Sequence, residues 1–234
     1  EQLSVQQIAS LFCIICDAVH FAHQNAVLHR DLKPSNLLVN ADGKPHVLDF
    51  GLAKDIEPNR EHSIISLTGQ VVGTLPYLSP DQVRGEPSSI QTDVYALGVI
   101  LFELLTGEYP YPIDDNRYQS LSNIVTRDPM SPRKMLALQG SSSIRASDIN
   151  RDLERIVLKA LAKEPARRYE SARALADDLK RYLKGDAVFA RSASRVYVLR
   201  KTVRKFRVLF IALLACMVVL VGALVGVTAA WRQS

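Results

Sequence analysis

The residues whose types and spacing point to chemistry form two short stretches, His29-Arg30-Asp31-Leu32-Lys33-Pro34-Ser35-Asn36 and Asp49-Phe50-Gly51. The first brings together a carboxylate, an ammonium and an amide; the second adds another carboxylate. A carboxylate can take a proton from a hydroxyl, and amide and carboxylate oxygens hold hard cations. Such a set suits a reaction that depends on positioning and charge neutralisation more than on covalent chemistry.

These residues need elements to hold them. Upstream, Ile8, Leu11, Phe12, Ile15, Val19 and Ala22 recur at helical spacing over residues 4–24, which predicts an amphipathic helix with one buried face. Leu37-Leu38-Val39 and Pro45-His46-Val47-Leu48 read as two short strands joined by the turn Asn40-Ala41-Asp42-Gly43. This hairpin would bring the ends of both chemical stretches together. Asp93 to Thr106 is apolar nearly all round, as expected of a helix buried in a core, and Gly107 ends it. Residues 112–150, with Pro112, Pro129, Pro132 and Gly140-Ser141-Ser142-Ser143, read as irregular. Two amphipathic helices follow, one carrying Leu153, Ile156, Val157, Ala160 and Leu161, the other Leu175, Leu179, Tyr182 and Leu183 behind Ser171 as N-cap.

The patterns H-R-D-x-x-x-x-N and D-F-G, joined by a hairpin pattern, resemble the phosphoryl-transfer centre of protein kinases, the Ser/Thr branch in particular, and the resemblance covers about residues 3–184. It implies transfer of the ATP γ-phosphate to Ser or Thr hydroxyls of protein substrates, with autophosphorylation, and ATP with Mg2+ (or Mn2+) as cofactors. On this resemblance Asp31 orients the substrate hydroxyl and accepts its proton, Lys33 contacts the transferred phosphate, and Asn36 and Asp49 hold the metal ions. Gly51 gives the triplet its backbone freedom. His29 belongs to the supporting frame, and Arg30 stands where the family binds a phosphate on its activation loop. Ser63, Ser66 and Thr68 are the candidate carriers of that phosphate, the alternative being loop hydroxyls with no role.

Gly73-Thr74-Leu75-Pro76-Tyr77-Leu78-Ser79-Pro80-Asp81 resembles the end of the activation segment, with Thr74 beside Asp31 helping to present the hydroxyl. The departure is Asp81, where the family has a glutamate paired with a buried arginine, here Arg168. One methylene shorter, Asp81 implies a pair that forms after a shift or through a bridging water. Asp93 matches the aspartate that ties the buried helix to the catalytic-loop backbone; the alternative is a simple N-terminal helix acid.

Composition restricts the rest. The net charge is +5, but residues 187–234 hold eight basic residues and no acidic one, which leaves 21 basic against 24 acidic elsewhere, or −3. The basicity is a local tail, and a nucleic-acid-binding domain is not expected. Three cysteines make no disulfide framework, and Cys13 and Cys16, inside an apolar helical run, read as packing rather than as a metal or redox pair. Residues 208–231 are 24 residues without a charge, about 36 Å of helix against a hydrocarbon core of ~30 Å. Arg191, Arg195, Arg200, Lys201, Arg204, Lys205 and Arg207 precede this run, and Trp231 and Arg232 end it. A single-pass span with the catalytic part in the cytoplasm is expected, the alternative being a very apolar core helix. The basic segment would meet anionic lipids, and the stripe Gly222, Gly226, Ala230 would let two spans pair into a dimer.

The expected architecture is therefore a mainly α, protein-kinase-like large lobe over residues 1–184 with a short β-hairpin at its active site. A basic linker over 185–207, a transmembrane helix over 208–231 and an extracytoplasmic tail over 232–234 follow, in an inner membrane. Because the chemical run begins at position 29, the chain reads as a fragment whose ATP-covering small lobe lies upstream, and it is expected not to turn over ATP alone. The competing function is a membrane-tethered scaffold that keeps the lobe without catalysis.

Overall fold

A computed structural model describes residues 3–40, 42–49, 74–140 and 144–191, together with Met217 and Gly222. It contains seven α-helices and one two-stranded sheet among the described residues. Helix α1 (Val5–Gln24) starts at Ser4, whose side chain accepts from the Gln7 amide while Gln7 returns a bond to the Ser4 amide, a reciprocal capping box. By length and composition α1 is apolar enough to cross a membrane. Yet Ile8, Phe12, Ile15, Cys16 and Val19 are buried, and the helix packs chiefly along α7 (Ala172–Leu183) and also against α3 (Ile90–Thr106). Cys13 and Cys16 are free thiols inside this core. Burial pushes the Cys13 thiol up to about 11 and raises the Cys16 thiol well above the usual thiol range, so both behave as packing groups.

Strands β1 (Leu37–Val39) and β2 (Pro45–Val47) pair antiparallel with Leu38 opposite His46. Their turn is held by the Asn40 side chain, which accepts from the Asp42 and Lys44 amides, and Gly43 takes φ +74°. Helix α3 forms the centre of the core: Val94, Tyr95, Leu97, Val99, Leu101 and Phe102 are all fully buried. It begins three residues before Asp93 and ends at Gly107 in the left-handed conformation, φ +72°. At Gly98 an added Cβ would lie 2.8 Å from the Cβ of Ala160 on α6 (Arg151–Ala160), so the missing side chain sets how closely these two helices approach.

The stretch predicted to be irregular holds two helices, α4 (Arg117–Thr126) and α5 (Pro132–Gln139). Helix α4 buries Ser120 and Asn123 beside Ile124, polar residues satisfied by Asp114 and by the Pro112 carbonyl, so no apolar stripe reveals it. In α5 Pro132 occupies the first helical position behind the cap Ser131, a place where proline starts a helix and does not break one. Helices α6 and α7 lie as predicted, and Ser171 caps α7 through the Ala174 amide.

The chain divides into two compact units. One comprises residues 1–184 together with Val188–Arg191; the other comprises 185–187 and 192–234, in which Met217 and Gly222 are helical. The basic segment from Arg195 and the rest of the apolar run lie outside the described residues, as do Gly51, Ser63, Ser66, Thr68 and Gly73.

Candidate active site

The loop after α1 carries the first chemical stretch. Asp31 is half-buried, and Lys33 Nζ lies 2.7 Å from its Oδ2. The same ammonium lies 3.0 Å from Thr74 Oγ1, so one cation gathers the carboxylate and a hydroxyl from a segment more than forty positions downstream. Asn36 closes a 3-10 turn, Pro34–Asn36, and its Nδ2 donates to the Asp31 carbonyl at 2.9 Å. That bond orients the amide and turns its Oδ1 the other way. The Leu48 amide donates to the Asn36 carbonyl at 2.8 Å. The end of the hairpin is thereby tied to the loop, and the exposed Asp49 follows directly.

Beneath the loop lies Asp93, 1% exposed, in the first turn of α3. Its Oδ1 accepts from the Arg30 amide at 2.9 Å; its Oδ2 accepts from the His29 amide at 2.9 Å and from His23 Nε2 at 2.8 Å. A carboxylate can only accept, so His23 carries its proton on Nε2. The His29 ring, also buried, bonds through Nε2 to the Leu48 carbonyl at 2.8 Å, which likewise makes that nitrogen the donor. Arg30 and Asp49 both take left-handed backbone conformations, φ +66° and +59°. Non-glycine residues there cost on the order of 1–2 kcal/mol each, and the bonds around Asp93 and Leu48 are what hold them.

A second buried carboxylate, Asp81, lies in the short helix α2 (Pro80–Val83). Arg168 Nη2 contacts Asp81 Oδ1 directly at 2.5 Å, with neither a gap nor a bridge to span. Thr92 Oγ1 donates to the other oxygen at 2.7 Å. The guanidinium donates further to the carbonyls of Ala162, Gln91 and Lys163 and lies 4.9 Å from the centre of the Tyr95 ring. Burial alone would raise the Asp81 pKa, but the bonds from Arg168 and Thr92 outweigh it and hold it below the usual carboxylate range.

The protein kinase domain family matches residues 1–179 of this chain. The chain belongs to the protein kinase family. Among its relatives are the serine/threonine-protein kinases PknB of Mycobacterium leprae, 39% identical over 180 residues, and of Mycobacterium tuberculosis, 39% identical over 171. A probable PknB of Corynebacterium glutamicum is 34% identical over 176 residues. The alignments cover 77%, 73% and 75% of this chain, and 27%, 25% and 26% of those proteins. The chain thus spans about a quarter of the length of the relatives it matches.

Nothing in the motifs points to two further residues that support this candidate site. His23 continues the buried stripe of α1 one turn past Val19, and a polar residue on an apolar face is the signal that would have found it. Gln82 Nε2 donates to the Arg30 carbonyl at 3.0 Å and so joins α2 to the loop after α1; its position in the sequence gives no such indication. The oxygens of Asn36 and Asp49 suit a hard cation. No group of three or more His, Cys, Asp or Glu side chains gathers for a metal among the described residues, and a Mg2+ site in this family relies on one or two protein oxygens with phosphate oxygens completing the shell.

Proposed function

We propose that the protein transfers the γ-phosphate of ATP to Ser and Thr hydroxyls of protein substrates, its own chain included. The observation that carries this reading is the contact of Lys33 with both Asp31 and Thr74. Asp31 orients an incoming hydroxyl and takes its proton. Lys33, already poised between the carboxylate and Thr74, meets the charge of the transferred group. Thr74 lines the approach of the hydroxyl. Asn36, oriented through the Asp31 carbonyl, and Asp49 supply the oxygens for Mg2+ or Mn2+. When bound, the ion neutralises phosphate charge. Arg30 offers a cation for a phosphate on Ser63, Ser66 or Thr68.

For the remainder of the chain we propose a basic linker over 185–207 against anionic lipid, a single membrane span over 208–231 and a short tail over 232–234 on the far side. The reading rests on the uncharged run and the cluster of basic residues before it. It places the lobe in the cytoplasm, at an inner membrane, with Gly222, Gly226 and Ala230 as the pairing face of two spans.

The test of the central reading is phosphotransfer to a protein substrate by the product of the complete gene, with ATP and Mg2+. Asp31→Asn should lower the rate by on the order of 10²–10⁴-fold without lowering the melting temperature. A variant that phosphorylates at the wild-type rate would overturn it.

A further inference from the structure

One buried charge has no part in phosphoryl transfer. Asp178 on α7 is fully buried, 0% exposed. Its Oδ1 accepts from the Phe189 amide at 2.6 Å, and its Oδ2 accepts from the Ala190 amide at 2.7 Å and from the Tyr169 hydroxyl at 2.8 Å. Two of its three partners are thus backbone groups of a segment that lies beyond the end of α7. That segment is held at other points as well. Val188 is buried in the core, 3% exposed. Arg181 lies 4.2 Å over the Phe189 ring, which is itself exposed. Arg191 Nη1 reaches Asp152 of α6 at 3.3 Å.

A buried carboxylate is tolerated only when its oxygens are filled with donors. Tyr169 alone leaves one oxygen of Asp178 empty, and the strap Val188–Arg191 supplies the rest through the Phe189 and Ala190 amides. The strap in turn has little regular structure of its own, and its bonds to Asp178 take the place of a helix or sheet ladder.

We propose that Asp178 is the socket of an internal docking site whose occupant is this chain's own segment Val188–Arg191. The strap is a releasable latch, held by a few charge-assisted bonds and by Val188 and Ala190, which pack with the same core that the helices beneath it share.

Hydrogen–deuterium exchange on the full chain in detergent tests this. The amides of Phe189 and Ala190 should exchange slowly. Asp178→Asn places an amide NH2 against one of the backbone donors, and Ala190→Pro deletes a donor from the strap while leaving the socket intact. Each should speed exchange over 188–191 by roughly 10- to 100-fold, the expected loss for a hydrogen bond to a charged group, with protection of α3 retained. Tryptic cleavage after Arg191 should speed up in parallel. Fast exchange at Phe189 and Ala190 in the wild type would overturn the proposal, as would full protection in both variants. Loss of α3 protection in Ala190→Pro would also overturn it, since the strap would then be core and not latch. If Asp178→Asn fails to fold, Ala190→Pro alone decides. None of these readouts depends on phosphotransfer.

Discussion

Asp81 and Asp93 are two carboxylates of nearly equal burial, 2% and 1% exposed, under the same site, yet they are neutralised in different ways. Asp81 meets a guanidinium and a hydroxyl, both side chains. Asp93 meets the backbone amides of His29 and Arg30, in the loop that carries Asp31, and one imidazole. A side-chain partner can be lost without moving any backbone, so Asp81 and Arg168 govern mainly whether the lobe stays folded. Backbone partners convert the position of a carboxylate into the position of a loop, so Asp93 governs where Asp31 points. The same burial therefore serves stability in one place and geometry in the other.

The largest effect on stability should come from the first of these. Arg168→Ala strands Asp81 and should lower stability by about 3–5 kcal/mol, measured by thermal or denaturant unfolding; a variant that melts with the wild type would break the distinction. A smaller loss is expected from His23→Ala. It removes one of three bonds to Asp93 while leaving both loop amides in place, so a loss of about 1–3 kcal/mol should come with most of the phosphotransfer rate retained. A rate falling as far as in Asp31→Asn would mean that the imidazole, and not the backbone, sets the loop.

The smallest effect concerns acid. The folded pKa of Asp81 is lowered, below an unfolded value of ~3.9. Its contribution is complete above that value and is lost as the pH falls through it towards the folded value. Asp81→Asn should therefore flatten the decline in stability below about pH 4, read from denaturant titrations on either side of that pH. Parallel declines in the two proteins would contradict the assignment.

Much of this arrangement was legible in the sequence. The hairpin, α1, α3, α6 and α7 follow from periodicity and turn residues, and the membership of the family from the pattern at His29–Asn36. The fit between Asp81 and Arg168 was not, because a side chain one methylene shorter says nothing about how far the backbone of α2 will move to meet its partner. Helix α4 was hidden because its buried face is polar, and α5 because Pro132 reads as a breaker unless the cap before it is recognised. His23, Gln82 and the strap onto Asp178 act through contacts between residues distant in the chain, which a linear pattern does not carry. The motifs were easier to read than the contacts that support them, because the motifs are local and the contacts are not.

The central claim is that the Asp93 carboxylate holds the Asp31 loop in a conformation competent for transfer. The most direct measurement is single-turnover phosphotransfer by Asp93→Asn, in the product of the complete gene, at a temperature where unfolding shows the variant still folded. An asparagine cannot accept from both loop amides at its two positions, so the rate should fall at least ~10-fold, the equivalent of one lost charge-assisted bond, while ATP affinity holds. A wild-type rate from a folded Asp93→Asn protein would contradict the account.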